Sequence, residues 1–259
     1  MSHSDKKRIV VKVGTSTLTH AATGKTNIRR MNSLVSVLAD LRNMGHEVLL
    51  VSSGAVGVGL GKLGRSERPS EIQALQAAAA IGQSELMFLY DKLFGEYNIV
   101  VAQLLFTTDE VENETERQHL TDTFNQLLAY GAIPIVNEND SVSVEELQCG
   151  DNDRLSAYVA SLTNADILIM LTDTDGLYDS NPAENPNARL IETVAEITPE
   201  IVAAAGGAGK KGTGGFATKI EAAKIATAAG VPVVIMNGQS PENIYQVING
   251  DAVGTKFLV

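Results

Sequence analysis

At 259 residues the chain can bury one large core or two small ones, and its formal charge of −11 argues against nucleic acid or an anionic membrane as the main partner. Hydrophobic residues at 44% with 23 glycines suit an α/β chain with many tight turns. The single cysteine, Cys149, excludes an intrachain disulfide and points to a reducing, cytoplasmic setting, and neither a secretory leader nor an apolar stretch of membrane-spanning length is expected.

Six apolar runs, 8–13, 47–51, 99–106, 132–136, 166–171 and 231–236, are rich in β-branched residues and apolar on both faces, as strands buried between helical layers are. Helical periodicity separates them. Met31, Leu34, Val35, Leu38 and Leu41 share one face with Gly45 beyond as a stop; 75–93 reads as an alanine-rich helix and 115–130 as a third. Crossovers of this length predict a mainly parallel central sheet covered on both faces, a three-layer α/β/α sandwich. No repeat, linker or low-complexity tract divides the chain, so a single domain, 1–259, with two functional halves is expected. Segment 178–189 carries Asp-Ser-Asn-Pro and Glu-Asn-Pro-Asn turn signals and is expected to be a surface hairpin.

The polar residues gather where the strands end. The first run closes with Lys12-Val13-Gly14-Thr15-Ser16, in which glycine lets the backbone approach an anion and Lys12 adds a point charge; an ordinary turn would look the same. The second closes with Ser52-Ser53-Gly54-Ala55, where Ser53 can bond a ligand carboxylate or cap the next helix. The fourth closes with Asn137-Glu138-Asn139-Asp140. Soon after, Gly150-Asp151-Asn152-Asp153-Arg154 opens an apolar-periodic segment (Leu155, Tyr158, Val159, Leu162), so carboxylates and an amide collect at a helix start. Capping would use one such residue rather than several in a row, which favours two sides of one polar ligand site.

The fifth run ends in Thr172-Asp173, a position suited to ribose or adenine contacts or to a plain polar turn. Lys210-Lys211-Gly212-Thr213-Gly214-Gly215-Phe216-Ala217-Thr218-Lys219 exposes glycine N–H groups just before a helix, an arrangement that binds phosphate. A lysine in the first turn of a helix opposes the macrodipole, so Lys219 is locally misplaced unless it serves an anion. Gly59-Leu60-Gly61-Lys62-Leu63-Gly64 matches the dinucleotide fingerprint but lies too far beyond its strand and opens no helix. A Walker-type loop and the protein-kinase signatures are absent. His3, His20, His46 and His119 lack metal-ligand spacing, and Cys149 reads as an ordinary packed residue rather than a nucleophile.

Taken in order, Val-Val-Lys-Val-Gly-Thr-Ser from Val10, Ser-Ser-Gly-Ala, Val-Asn-Glu-Asn-Asp, Gly-Asp-Asn-Asp-Arg-Leu-Ser-Ala, Leu-Thr-Asp-Thr-Asp-Gly-Leu-Tyr and Gly-Thr-Gly-Gly-Phe-Ala-Thr-Lys resemble the amino acid kinase family over nearly the whole chain. The Asn-Glu-Asn-Asp and Gly-Asp-Asn-Asp pair separates it from the acetylglutamate, aspartate, carbamate and uridylate kinases. The resemblance implies the amino acid kinase fold and transfer of the γ-phosphoryl group of ATP, with Mg²⁺, to the γ-carboxylate of L-glutamate, the opening step of proline biosynthesis. It places Lys12 and Lys219 on the moving phosphoryl group with Asp153 holding both. Ser53, Asp140 and Asn152 would bind glutamate, and Asn137 and Asp151 would line the same pocket. Lys12, Gly14, Thr172, Asp173, Thr213, Gly214, Gly215, Phe216, Ala217, Thr218 and Lys219 would bind ATP. The glutamate half would then run to about residue 162 and the ATP half from about 163.

The chemistry of the residues agrees with that implication. A carboxylate acceptor is already ionised at neutral pH and needs no general base, so the obstacle is repulsion between anions. Lysines, Mg²⁺ and glycine N–H donors answer it, while Asp140 can pair with the substrate ammonium group. A non-catalytic sensor of the same fold would have no need of Lys12, Asp153 and Lys219 together. The resemblance further implies a homodimer or homotetramer and an unstable acyl phosphate suited to hand-off to glutamyl phosphate reductase. Longer members carry an RNA-binding-type C-terminal domain; here the kinase sheet is expected to close by Val259, so neither nucleic acid nor membrane is an expected partner.

Overall fold

Strand β1 (Arg8–Val13) buries its last five residues because parallel neighbours flank it and helices cover both its faces. The fold is that of a computed structural model describing residues 6–20, 24–65, 67–143, 152–206 and 215–259. After β1 come α1 (Thr15–Leu18), α2 (Ile28–Asn43), β2 (Glu47–Ser52), α3 (Ala55–Lys62) and α4 (Ile72–Gly95). Strand β3 (Val101–Phe106), α5 (Thr108–Glu112), α6 (Glu114–Ala129), β4 (Ile133–Glu138) and α7 (Asp153–Leu162) follow. The rest is β5 (Ile167–Thr172), β6 (Thr193–Val194), α8 (Pro199–Gly206), α9 (Phe216–Ala228), β7 (Val233–Asn237), α10 (Asn243–Asn249) and β8 (Thr255–Phe257).

Among the described residues the strands form one sheet in the order β3-β4-β2-β1-β5-β7-β8-β6, parallel throughout except for β7 against β8. This is the expected three-layer, mainly parallel sandwich, and the six apolar runs all became strands. The alternation of β1 sorts the two cores. Ile9, Val11 and Val13 pack with α2, α3 and α4 on one side. Val10 packs with α7 and α9 on the other, and Lys12 shares its face. The sheet closes near the C-terminus at β8, as expected, whereas the short strand β6 was not anticipated, since two residues leave no readable period. Strand β4 also runs on through Glu138, so Asn137 sits inside the sheet rather than beyond it. In segment 178–189 the expected hairpin reduces to one antiparallel bridge, Tyr178 to Leu190, and an Asp179 N–H donated to the Arg189 carbonyl at 3.0 Å.

Helices α3 and α4 touch backbone to backbone. A Cβ built on Gly59 would lie 1.9 Å from the Ala78 carbonyl oxygen, and one on Gly82 would lie 1.8 Å from that of Ala55. Neither atom can be accommodated by a flexible side chain giving way, so the helices would have to part. Gly82→Ala is therefore expected to lower stability by roughly 3 kcal/mol, at the upper end for overpacked sites. Urea denaturation measures this; an unchanged midpoint would mean that the helices do not cross at these glycines.

Candidate functional site

The shared face of β1 directs Lys12 beneath α7 and α9, toward two residues far away in sequence. Its ammonium lies 2.8 Å from Oδ1 of Asp153, and the Lys219 ammonium lies 3.0 Å from Oδ2 of the same carboxylate. The Thr218 hydroxyl donates to Oδ2 at 2.9 Å. The Asp153 side chain is fully buried, and those of Lys12 and Lys219 are 3% and 8% exposed. Asp153 occupies the first turn of α7, where the helix dipole favours a carboxylate. Lys219, in the first turn of α9, faces the unfavourable end of its own helix and is held there by Asp153. Two buried ammonium groups are thus gathered around one carboxylate in a desolvated place, a cluster of cations suited to an incoming polyanion. Gly14 adjoins the trio: a Cβ there would lie 3.8 Å from Lys12 Nζ, in ordinary contact.

Next to this trio lies an amide pocket. Asn152 is the N-cap residue of α7, yet its side chain makes no capping bond. Its Nδ2 instead donates to Ser53 Oγ at 3.1 Å and to Asn137 Oδ1 at 2.6 Å. Ser53 does not cap either, because Gly54, at φ 104°, takes the N-cap of α3. Capping thus fails as an explanation for both residues. Asn152 and Asp140 are 1% and 7% exposed, and Oδ1 of each has no hydrogen-bond partner among the described residues. Burial pushes the Asp140 carboxyl up to about 6, against the opposing pull of the Arg68 charge. Buried, unsatisfied acceptors in a polar pocket are the mark of a missing donor.

On the other side of β1, a cavity of about 400 Å³ opens at the ends of β5 and α9. Leu177, Pro182, Ala204, Ala205 and Phe216 give it an apolar lining, and Thr172, Asp173 and Lys219 give it a polar rim. A flat heterocycle on the apolar side would leave attached phosphates near Lys219. A larger hollow of about 470 Å³ lies between Thr107–Glu110, Glu116 and residues 142–143, where its acidic lining suits no phosphate.

Nine of the residues singled out from the sequence meet at these connected places: Lys12, Gly14, Ser53, Asn137, Asn152, Asp153, Thr172, Thr218 and Lys219, while Asp140 is buried two residues beyond β4. Asp173, Gly215 and Phe216 line the nucleotide-sized cavity, while Ala217 is exposed and makes no part of its lining. Asp151, Thr213 and Gly214 lie outside the described residues, as do Cys149, Lys210 and Lys211. The sequence reading missed Gln83, whose Oε1 accepts from Asn137 Nδ2 at 2.8 Å, and the cavity residues Tyr178, Ser180, Asn181 and Ala204. Among the described residues no group of three or more His, Cys, Asp or Glu could hold a metal ion. No described helix is long and apolar enough to cross a membrane.

The profile of the Amino acid kinase family matches residues 7–237. The glutamate 5-kinase of Clostridium perfringens is 52% identical over 259 residues, covering 98% of this chain and 96% of that protein. That of Clostridium acetobutylicum is 53% identical over 256 residues with the same coverage. The glutamate 5-kinase of Moorella thermoacetica is 52% identical over 256 residues, which span 98% of this chain and 68% of that protein. Among solved structures, the UMP kinase from Bacillus anthracis superposes with a TM-score of 0.64 at 15% identity, covering 97% of this chain and 96% of that one. The T. acidophilum isopentenyl phosphate kinase gives 0.63 at 16% identity, covering 96% and 99%. At such identities the two structures establish the fold alone.

Proposed function

Because the chain belongs to the amino acid kinase family, we propose that it transfers the γ-phosphoryl group of ATP to the γ-carboxylate of L-glutamate. The products are L-glutamyl 5-phosphate and ADP, and the reaction opens proline biosynthesis. The observation that carries this reading is the buried Lys12–Asp153–Lys219 trio standing between the amide pocket and the nucleotide cavity.

Each part then has a task. The adenine of ATP fills the apolar side of the cavity against Phe216 and Ala205, with the phosphates running past Lys219 to Lys12. The ammonium group of glutamate meets the carboxylate of Asp140 and the amide oxygen of Asn152, both buried and awaiting a donor. This directs the γ-carboxylate at the lysines. Being ionised, it attacks without a base, and Lys12 and Lys219 balance the charge that spreads over the phosphoryl oxygens in flight. Asp153 is no base here; with both oxygens taken up by ammonium groups it fixes the spacing of the lysines. Mg²⁺ entering with ATP would supply charge screening of the phosphates. Residues up to about 162 thus serve glutamate and those from about 163 serve ATP, with β1 lending Lys12 to both. The acyl phosphate formed is hydrolytically labile, which suits prompt use by glutamyl phosphate reductase.

The test is ADP release from MgATP with L-glutamate, compared with aspartate, N-acetylglutamate, carbamate and UMP, in the presence of hydroxylamine. A glutamate-dependent hydroxamate is the expected result. ADP release with a different acceptor, or with none, overturns the assignment.

A further inference from the structure

A side-chain amide has a donor end and an acceptor end of almost the same shape, so its direction is set by its neighbours. In the amide pocket the direction starts from the backbone. The N–H of Glu138 donates to Oδ1 of Asn137 at 2.9 Å, and because a backbone N–H can only donate, the oxygen must lie there. The amino group of Asn137 then points the other way, to Oε1 of Gln83 at 2.8 Å. Oδ1 of Asn137 also receives the amino group of Asn152 at 2.6 Å, and that group is shared with Ser53 Oγ at 3.1 Å. With its donor end used, Asn152 is left with a buried Oδ1 that no described residue satisfies. Were the Asn137 amide reversed, its NH₂ would face the NH₂ of Asn152, which would lose its shortest acceptor and keep only the Ser52 carbonyl at 3.4 Å and Ser53 Oγ at 3.1 Å to hold its direction.

Gln83 belongs to no motif and stands on α4, a helix brought against α3 by the backbone contact at Gly82. It is half-buried and, among the described residues, reaches the pocket through Asn137. We propose that Gln83 is a positioning residue that pins the Asn137 amide in the direction the Glu138 N–H sets: by accepting from Asn137 it holds in place the oxygen on which the Asn152 amino group rests, and so keeps the acceptor end of Asn152 turned to the ligand, which favours an ammonium-bearing dicarboxylate over a plain one. The inference rests on the glutamate reading above and adds to it the source of the selectivity for the amino group.

The experiment compares L-glutamate with glutarate, the same dicarboxylate lacking the ammonium group, by hydroxamate formation in wild type, Gln83→Ala, Gln83→Leu and Gln83→Glu. Removing the acceptor (Ala, Leu) is expected to raise KM for L-glutamate about tenfold and to cut the preference for glutamate over glutarate by about the same factor, the worth of one buried hydrogen bond. KM for MgATP stays within about twofold, because Asn137 and Asn152 do not reach the nucleotide cavity. Gln83→Glu retains an acceptor and restores the preference. Equal losses on both acceptors, or an intact preference in Ala and Leu, or a Glu variant as impaired as Ala, would each overturn the relay while leaving the glutamate reading in place. A wild-type protein that forms no hydroxamate from glutamate overturns the reading and the relay together.

Discussion

Asp153→Asn is expected to abolish nearly all turnover, by about a thousandfold or more, and to leave a fold that MgATP stabilises more than it stabilises wild type. The carboxylate sits between two buried ammonium groups at 2.8 and 3.0 Å, and the amide that replaces it carries no charge. Breaking a buried ion pair on one side typically costs about 3–5 kcal/mol, since the partner charges stay buried. Here two ammonium groups lose this carboxylate rather than one. The polyphosphate brings back the missing negative charge, so the variant gains more from the ligand than wild type does. It does not regain catalysis, because the two lysines no longer share one anchor and drift from the phosphoryl oxygens. Thermal melts with and without MgATP, read beside kcat, check both halves. A variant as stable and as fast as wild type would show that the trio is neither the anchor nor the catalytic charge.

Asp140→Asn has the opposite stability sign. Burial raises the Asp140 pKa from 3.8 to about 6, so between those values the folded protein binds a proton more tightly than the unfolded chain does. The stability this group contributes is therefore fully present below about pH 4 and is lost as pH rises through about 6. Near neutrality the ionised carboxylate is a burden on the unliganded fold of roughly 2–3 kcal/mol at most. Asparagine removes the burden, and the variant is expected to melt no lower than wild type at pH 7.5 and several degrees higher if the full amount is recovered. Its KM for L-glutamate should rise about a hundredfold, because a neutral amide cannot balance the substrate ammonium. In wild type, kcat/KM for glutamate should fall about tenfold per pH unit below about 6, and that limb should vanish in the variant. A destabilised variant with unchanged KM would remove Asp140 from the pocket.

The strands and the polar groups at their ends were legible because both signals are local. A buried parallel strand is a continuous apolar run, and Lys12, Ser53 and Thr172 stand out at the ends of three of them. Lys219 was also conspicuous, as a cation at the wrong end of a helix. What no local pattern could supply was its partner. Asp153 lies 66 residues away, and only the resemblance to a family joined the two before the packing of α7 on α9 did so in space. Gln83 stayed hidden for a different reason: a glutamine in an alanine-rich helix reads as part of a solvated face, and its inward role follows from the α3–α4 crossing. The apolar wall at Ala204 and Ala205 was equally out of reach, since alanines on a short helix carry no chemistry until the fold sets them opposite Thr172.

Strand β1 has the amide pocket toward β2 and β4 and the nucleotide cavity toward β5, so neither half-site obstructs the other. On the proposed reading both substrates are resident together and meet only across Lys12. The phosphoryl group passes from one to the other in a single flight and never rests on a side chain. Initial-rate plots for the two substrates should therefore intersect rather than run parallel. No labelled phosphate should remain on the protein after ATP alone, and a chiral γ-thiophosphate should emerge with its configuration inverted.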